Sequence, residues 1–185
     1  GMEAAVTALR LAIVCLLNNP AAQAKCHEEI DRVLGKREPR LADQKAMHFT
    51  SAVLQEVLRL AAIFLPMNFL RQLQEPAVVD GYHLPTGTAV VPQFQSVHFD
   101  PDVFPRPHLF WPERHLNDQG ECIKNPIITP FSVGKRSCFG EGLGRAQMFI
   151  FLVTFLQYFR FESSGSLPPE FKLVPGFVRT PEYFE

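Results

Sequence analysis

Cys138 is the residue whose neighbours in the sequence most clearly suit it to chemistry. Lys135 and Arg136 stand just before it, and cationic neighbours favour the thiolate, the form of cysteine that binds metals and attacks electrophiles. A long apolar helix is predicted to begin at Gly140, and the free N–H groups and positive dipole end of such a helix also favour a negative sulfur. The sequence therefore indicates a reactive or metal-binding thiolate at Cys138.

Three residues around this cysteine would shape a site for a flat cofactor. Gly134 permits a backbone turn that a side chain would obstruct, and Gly140 lets a planar group lie close to the helix. Phe131 can cover the sulfur and exclude water, and such apolar cover tunes a metal-bound thiolate. Two other interpretations stay open, a buried structural cysteine and a nucleophilic cysteine. The second lacks support, because none of the six histidines lies in a recognisable partner motif.

Two charged motifs precede the cysteine segment. Glu56 and Arg59 stand at positions i and i+3 of a predicted helix, where a carboxylate and a guanidinium share a face and can pair. Taken alone, such a pair is most often a solvated surface contact that contributes little stability. Further along, residues 110–114 read Phe-Trp-Pro-Glu-Arg and bring a second guanidinium, Arg114, into a proline-rich stretch.

In this order the motifs resemble those of the cytochrome P450 family. Residues 131–140 match its FxxGxRxCxG haem-ligand loop and residues 56–59 match its ExxR motif; residues 110–114 match its PERF segment, with His115 where the family usually has Phe. Residues 1–5 align with the distal-helix AGxxT segment from its glycine onward, which puts Glu3 at the distal acid and Ala4 at the usual threonine. The resemblance extends over essentially the whole chain and looks closest to animal microsomal, family-2-like members.

The resemblance implies a fold, a cofactor and a set of site residues. The fold would be mainly α with small antiparallel β-sheets, and residues 1–185 would form a single partial domain, the C-terminal haem-binding part. The cofactor would be haem b, with Cys138 as the axial ligand of its iron. Cofactor contacts would come from Arg71 and Arg136 at the two propionates and from Phe131, Gly134 and Gly140. Residues 61–69 and 177–178 would line the substrate pocket.

The resemblance also implies a structural triad of Glu56, Arg59 and Arg114. Three buried charges are tolerable only if they satisfy each other, so we expect the triad to pin the proline-rich segment against the third helix.

The implied activity is that of a haem-thiolate monooxygenase, which inserts one oxygen atom of O2 into a lipophilic small molecule. Its electrons would come from NADPH through a separate partner, NADPH–cytochrome P450 reductase. Glu3 would be the catalytic distal acid, while Ala4 lacks the usual hydroxyl. We expect the protein at the cytosolic face of the endoplasmic reticulum membrane, held only through an N-terminal anchor outside this chain. Two alternatives stay open: a haem-thiolate isomerase or dehydratase that acts on peroxides, and a non-catalytic fragment.

The elements that must position these residues are mostly helices. Apolar and capping patterns predict helices over residues 3–17, 20–34, 50–62 and 140–158, and a short turn opened by Asp43. Asn19 and Pro20 suit the N-cap and first position of the second helix, and Gly35 suits its end. Short β-prone pieces at 77–79, 82–84 and 88–91 predict a small antiparallel sheet. Residues 101–137 show no period, and an irregular stretch of that length is usually functional.

Composition excludes several other classes of protein. The net charge is −1 and no basic run occurs, so we expect no nucleic-acid partner. The four cysteines include no CxxC pair, which argues against a structural zinc site and a disulfide scaffold. The apolar stretches at residues 4–17 and 148–156 fall short of the ~20 residues needed to cross a bilayer, so no transmembrane segment is expected.

Overall fold

The computed structural model describes residues 2–61, 70–165, 168–170, 172–174 and 180–181. Within these ranges the α-helices are α1 (Met2–Leu17), α2 (Pro20–Val33), α3 (His48–Ala61), α4 (Phe94–His98) and α5 (Glu141–Tyr158). Turns of 3-10 helix lie at Leu41–Ala46, Pro112–His115 and Gly134–Arg136. The short strands are β1 (Arg71–Gln72), β2 (Ala77–Val79), β3 (Tyr82–Leu84), β4 (Ala89–Val90), β5 (Leu173–Val174) and β6 (Thr180–Pro181). The predicted fold class, mainly α with small antiparallel sheets, is confirmed.

The core is made by four helices. α1 and α2 each pack against α3 and α5, and the core residues that these helices contribute include Leu16, Ile30, Val57 and Phe149. The second half of α1 is buried as its apolar sequence predicts, but Met2 at its start is exposed. This bundle fixes α3 and α5, which carry the charged motifs and the cysteine segment.

The junction between α1 and α2 uses its polar residues differently from the prediction. Asn19 does occupy the N-cap position of α2, with Pro20 next, but it makes no side-chain cap. Its Nδ2 instead donates to the carbonyl of Cys15 at 2.7 Å, so the side chain closes the end of α1. Gly35 has a φ of 57° and donates its N–H to Asp31, as expected for a residue that ends a helix.

Two short elements begin earlier than predicted. α3 begins at His48 rather than at Thr50, because Glu29 on α2 supplies the cap: its carboxylate accepts the N–H of Phe49 at 2.9 Å and that of Thr50 at 2.7 Å. The capping group lies 20 residues before Phe49, so no local pattern could indicate it. The turn predicted to open at Asp43 spans Leu41–Ala46, with the Asp43 carboxylate accepting the N–H of Arg40.

The β-prone segments form two sheets where one was predicted. β2 and β3 make a hairpin whose turn residues Asp80 and Gly81 have φ values of 49° and 80°, typical of a two-residue turn between antiparallel strands. β4 pairs instead with β1, placing Arg71 opposite Val90. β5 and β6 form a third antiparallel pair.

Residues 101–137 are irregular, as predicted, and lie against α3. Gln55 on α3 donates to the carbonyl of Ile123 at 2.8 Å and accepts the N–H of Asn125 at 3.2 Å. An isolated β-bridge joins Leu116 and Cys122.

Across the described part of the chain, no single helix has the length and apolar character to cross a bilayer. α1 and α2 would meet that test only as a pair, and they are bent by 109° at the break between them.

Candidate functional site

α3 carries a buried ion pair. Arg59 Nη2 and Nε donate to Glu56 Oε1 and Oε2 at 2.8 and 2.9 Å, and both side chains are 0% exposed. Arg59 Nη1 donates to the carbonyl of His98 at 2.7 Å. The same guanidinium lies 5.7 and 5.2 Å from the ring centroids of Phe99 and Phe104. The pair therefore lies inside the protein, where removal of either charge would leave the other buried and uncompensated.

Arg114 reaches this ion pair from the 3-10 turn at Pro112–His115. Its Nε donates to Glu56 Oε1 at 3.1 Å, and its Nη1 donates to the carbonyl of Pro105 at 2.8 Å. The backbone N–H of Trp111 also donates to Glu56 Oε1, at 3.1 Å. The structure thus brings together Glu56, Arg59 and Arg114, and their hydrogen bonds attach the proline-rich segment to α3.

His115 is a fourth member of this network. Its Nε2 lies 2.7 Å from Glu56 Oε2, and the two side chains are 1% and 0% exposed. The sequence treats His115 only as a departure from the family's usual Phe. One sequence feature could have indicated its role in the network: His115 is a polar ring next to Arg114, in a segment already expected to contact Glu56.

These donors decide the charge of Glu56. Burial alone would raise the pKa of its carboxyl, but the hydrogen bonds from Arg59 and His115 outweigh burial and lower the pKa to about 2. Glu56 is therefore a carboxylate at neutral pH, and the network is charged.

The cysteine segment forms a tight turn before α5. Ser132 and Gly134 have φ values of 68° and 71°, so the turn needs the left-handed conformation that glycine adopts readily. The N–H of Ser137 donates to the carbonyl of Gly134 at 3.1 Å, and the N–H of Cys138 donates to that of Phe131 at 2.8 Å. The predicted role of Gly134 in a turn agrees with this backbone, whereas the strained φ of Ser132 had no sequence signal.

The Cys138 side chain is exposed at the end of this turn. α5 begins at Glu141, with Gly140 as its N-cap residue. A Cβ added to Gly140 would lie 3.8 Å from the sulfur, so the glycine keeps the space beside Sγ open. The ring of Phe131 packs against α5, where the Arg145 guanidinium lies 5.0 Å from the ring centroid.

An apolar cleft of about 810 Å³ lies between α1 and α5, with Cys138 on its wall. α1 contributes the small side chains Ala4, Ala5 and Ala8, and α5 contributes Leu143, Gly144, Gln147, Met148 and Phe151. A cleft with apolar walls and one thiol suits a flat apolar cofactor with a metal that accepts sulfur, which is the chemistry of haem bound by cysteine. The residues present therefore fit haem.

The predicted cofactor residues divide into two groups. Phe131, Arg136, Cys138 and Gly140 line the cleft. Arg71 and Gly134 are outside the set of described residues that line the cleft. Arg71 lies on β1 and donates to the carbonyl of Leu70 at 3.1 Å.

The distal residues divide in the same way. Ala4 lines the cleft, whereas Glu3 is exposed on the first turn of α1 and is not among the described lining residues. Of the predicted substrate-pocket residues, Ala61 lines the cleft, and residues 62–69 and 177–178 lie outside the described residues.

One side of the cleft was missed by sequence reasoning. Pro92 and three residues of α4, Phe94, Gln95 and His98, also line it. A helix of five residues gives no periodic signal, so nothing in the sequence marked this side.

Comparisons with known proteins agree with this geometry. The model of the family described as "Cytochrome P450" matches residues 1–185. The chain is 44% identical to "Probable cytochrome P450 CYP36A1" of Caenorhabditis elegans and 39% identical to "Cytochrome P450 2A6" of Homo sapiens, in each case over 100% of this chain and 38% of the relative. It is 40% identical to "Cytochrome P450 2A5" of Mus musculus, over 96% of this chain and 36% of the relative. The chain thus spans well under half the length of these relatives, and it belongs to the cytochrome P450 family.

Proposed function

We propose that this chain forms the haem-binding part of a haem-thiolate monooxygenase. The enzyme would insert one oxygen atom of O2 into a lipophilic organic molecule, with electrons from NADPH delivered by NADPH–cytochrome P450 reductase at the endoplasmic reticulum membrane. The observation that carries this proposal is the position of Cys138, an exposed thiol on the wall of an apolar cleft between two helices.

The residues of the cleft would divide the work between them. Cys138 would hold the iron through its sulfur, and Arg136 would pair with a carboxylate at the cofactor's edge, because a guanidinium matches both oxygens. The alanines of α1 leave room on the opposite side, and the apolar walls would exclude water and receive a lipophilic substrate. When bound, the haem would supply the O2 chemistry, and a thiolate ligand such as Cys138 would favour it.

A second candidate, a haem-thiolate isomerase or dehydratase acting on peroxides, is favoured by Ala4. This residue lines the cleft at the position of the usual distal threonine, and a methyl group cannot relay a proton. A reaction that rearranges a peroxide needs neither a reductase nor O2. Turnover with NADPH and reductase, compared with turnover of a lipid hydroperoxide, distinguishes the two enzymes.

The sulfur ligand can be tested directly in the haem-loaded protein that contains this chain. Cys138→Ser is expected to abolish the thiolate-type Soret band of the ferrous–CO complex. Cys122→Ser, which changes a half-buried cysteine outside the cleft lining, is the matched control and is expected to keep the band. Survival of the band in Cys138→Ser would refute the assignment and, with it, the proposed haem-thiolate chemistry.

A further inference from the structure

His98 is a buried residue that contacts both the charged network and the cleft. It is 2% exposed at the last position of α4. Its carbonyl accepts the hydrogen bond from Arg59 Nη1 at 2.7 Å, and its ring Nε2 accepts the backbone N–H of Thr129 at 3.0 Å. The ring meets that of Phe104 edge-on, with 6.5 Å between the centroids, and the residue lines the cleft. His98 therefore joins elements that are far apart in the sequence.

From Thr129 the hydrogen bonds continue to the cysteine. The carbonyl of Thr129 accepts the N–H of Ser132 at 3.1 Å, across the turn that contains Phe131. The carbonyl of Phe131 in turn accepts the N–H of Cys138 at 2.8 Å. The position of the cysteine thus depends on a backbone segment whose contact with the rest of the protein includes the His98 ring.

We propose that His98 is a positioning residue, which holds the cysteine turn in place relative to the buried Glu56–Arg59 pair and does so only while its imidazole is neutral. The consequence for the cofactor rests on the proposed haem-thiolate function. The coupling of residues 129–138 to His98 does not, and it can be measured separately.

The requirement for a neutral ring follows from the direction of the hydrogen bond. The backbone N–H of Thr129 is a donor, so Nε2 must present a lone pair, and the proton of the neutral ring must sit on Nδ1. Protonation would place two N–H groups face to face and break the contact. His115 behaves oppositely, since its Nε2 faces a carboxylate and can donate in either protonation state. A second ring proton would therefore break the His98 contact with the Thr129 N–H.

The groups around His98 also oppose its protonation. Burial lowers the pKa of His98 from its ordinary value of 6.5, the carbonyl of Ile127 opposes this, and the charge of Arg59 lowers the pKa again. The charged partners of Arg59 are Glu56 and, through it, Arg114 and His115, and residues 127–132 bring no titratable side chain. Because the folded-state pKa is depressed, the stabilisation is present above pH 6.5 and is lost as the pH falls below that value.

The experiment follows the ferrous–CO Soret band of the haem-loaded protein as the pH is lowered from neutrality. The wild type is expected to keep the thiolate-type band at pH 6.5 and to lose it as the pH falls through the depressed pKa of His98. In His98→Gln the amide oxygen can accept the Thr129 N–H and does not titrate, so the loss should move to lower pH. His98→Leu lacks the acceptor and should lose haem about tenfold faster at neutral pH, which corresponds to about 1.4 kcal/mol. His83→Gln, a change on the exposed face of β3, is the matched control and should behave as the wild type.

A second measurement needs no variant. Hydrogen exchange at the amide of Thr129 in the wild type, corrected for its intrinsic pH dependence, should become faster as the pH falls through the depressed pKa of His98, while the amide of Gln157 within α5 stays protected. Identical acid responses of wild type and His98→Gln, or unchanged protection of Thr129, would overturn the proposal. Absence of the thiolate band from the wild type at neutral pH would instead contradict the proposed function, and the exchange of Thr129 would still decide the role of His98.

Discussion

At the scale of single residues, Glu56 is the point at which two parts of the chain meet, α3 and residues 111–115. Its two oxygens receive hydrogen bonds from Arg59 within α3, from Arg114 and His115, and from the backbone of Trp111. A buried carboxylate is costly unless it is fully hydrogen-bonded, and the lowered pKa shows that its donors outweigh burial. The histidine is therefore part of what keeps this charge acceptable.

His115→Phe tests that contribution and restores the family's usual residue. One oxygen of Glu56 would lose a donor, and a hydrogen bond to a charged group contributes about 1.5–3 kcal/mol. We expect the free energy of unfolding of the haem-loaded protein to fall by about that amount in a denaturant titration. His115→Gln, which can offer an amide N–H in a similar place, should lose less. Equal stability of His115→Phe and the wild type would show that Arg59 and Arg114 suffice.

Under the proposed monooxygenase function, Ala4 is the other residue whose type would decide chemistry, because it lines the cleft and aligns with the distal position where a threonine is usual. Without a hydroxyl to order water and deliver protons, reduced oxygen would escape as peroxide. We expect the wild-type monooxygenase to be poorly coupled, and Ala4→Thr to lower the peroxide released per NADPH while product rises. Ala5→Thr, at the neighbouring cleft position, is the matched control. Tight coupling in the wild type, with no effect of Ala4→Thr, would place the proton relay in the substrate.

At the scale of elements, α3 holds the irregular segment that leads to the cysteine. The charged network attaches residues 98–115 to it, and Gln55 attaches residues 123–125. The segment also buries the apolar side chains of Phe104 and Ile128, which are 3% and 5% exposed, but its ion pair with Glu56 is buried with them. The segment should therefore respond more strongly to the loss of one buried charge than to changes at its surface.

Glu56→Ala and Glu113→Ala form a matched pair for this expectation. Glu56→Ala leaves Arg59 buried and unpaired, which should cost about 3–5 kcal/mol and give haem-free or aggregated protein. Glu113 also makes a short salt bridge, 2.6 Å from Lys25, but the two side chains are 40% and 51% exposed. Its loss should cost no more than about 1 kcal/mol and leave haem content unchanged. A soluble, fully haem-loaded Glu56→Ala protein would contradict the structural role of the network.

The sequence predicted most elements of this fold, and its failures have a common physical cause. Local patterns located the β-prone pieces at 77–79 and 82–84 and the long helix α5, because β-prone and apolar runs act over a few positions. They misplaced the start of α3, whose cap is Glu29 on another helix. His115 and His98 were missed for the same reason: their roles depend on contacts with residues 59 and 31 positions away. The motif identified Cys138, whereas the hydrogen bonds of the turn that precedes it are visible only in the folded structure.

At the scale of the whole molecule, the cleft is lined by large apolar side chains that are exposed. Phe139 is fully exposed, and Leu143 and Phe151 on α5 are 66% and 46% exposed. On the facing helix, Met2 and Val6 are 80% and 50% exposed. Apolar surface of this kind marks a place where a cofactor or further protein packs. The relatives, of which this chain matches 38% of the length, contain far more chain than these 185 residues.

The 185 residues by themselves should therefore bind haem weakly, without specific thiolate ligation, and should show no monooxygenase activity. The lining residues Phe139 and Leu143 are exposed, so the cleft would leave part of a large apolar cofactor in water, and burial would contribute only part of the free energy that a closed pocket gives. Exposed side chains such as Phe139 and Phe151 should also promote association of the free chain.

Haem titration with ferrous–CO spectra measures the binding of haem by the 185 residues, and the molar mass in solution measures their association. Co-expression with the part of a relative that lies outside the matched residues, supplied as a separate chain, should sharpen the thiolate band if closure of the cleft is the limiting step. Stoichiometric haem binding with NADPH-dependent turnover by the 185 residues alone would show that α1, α5 and the cysteine turn are sufficient.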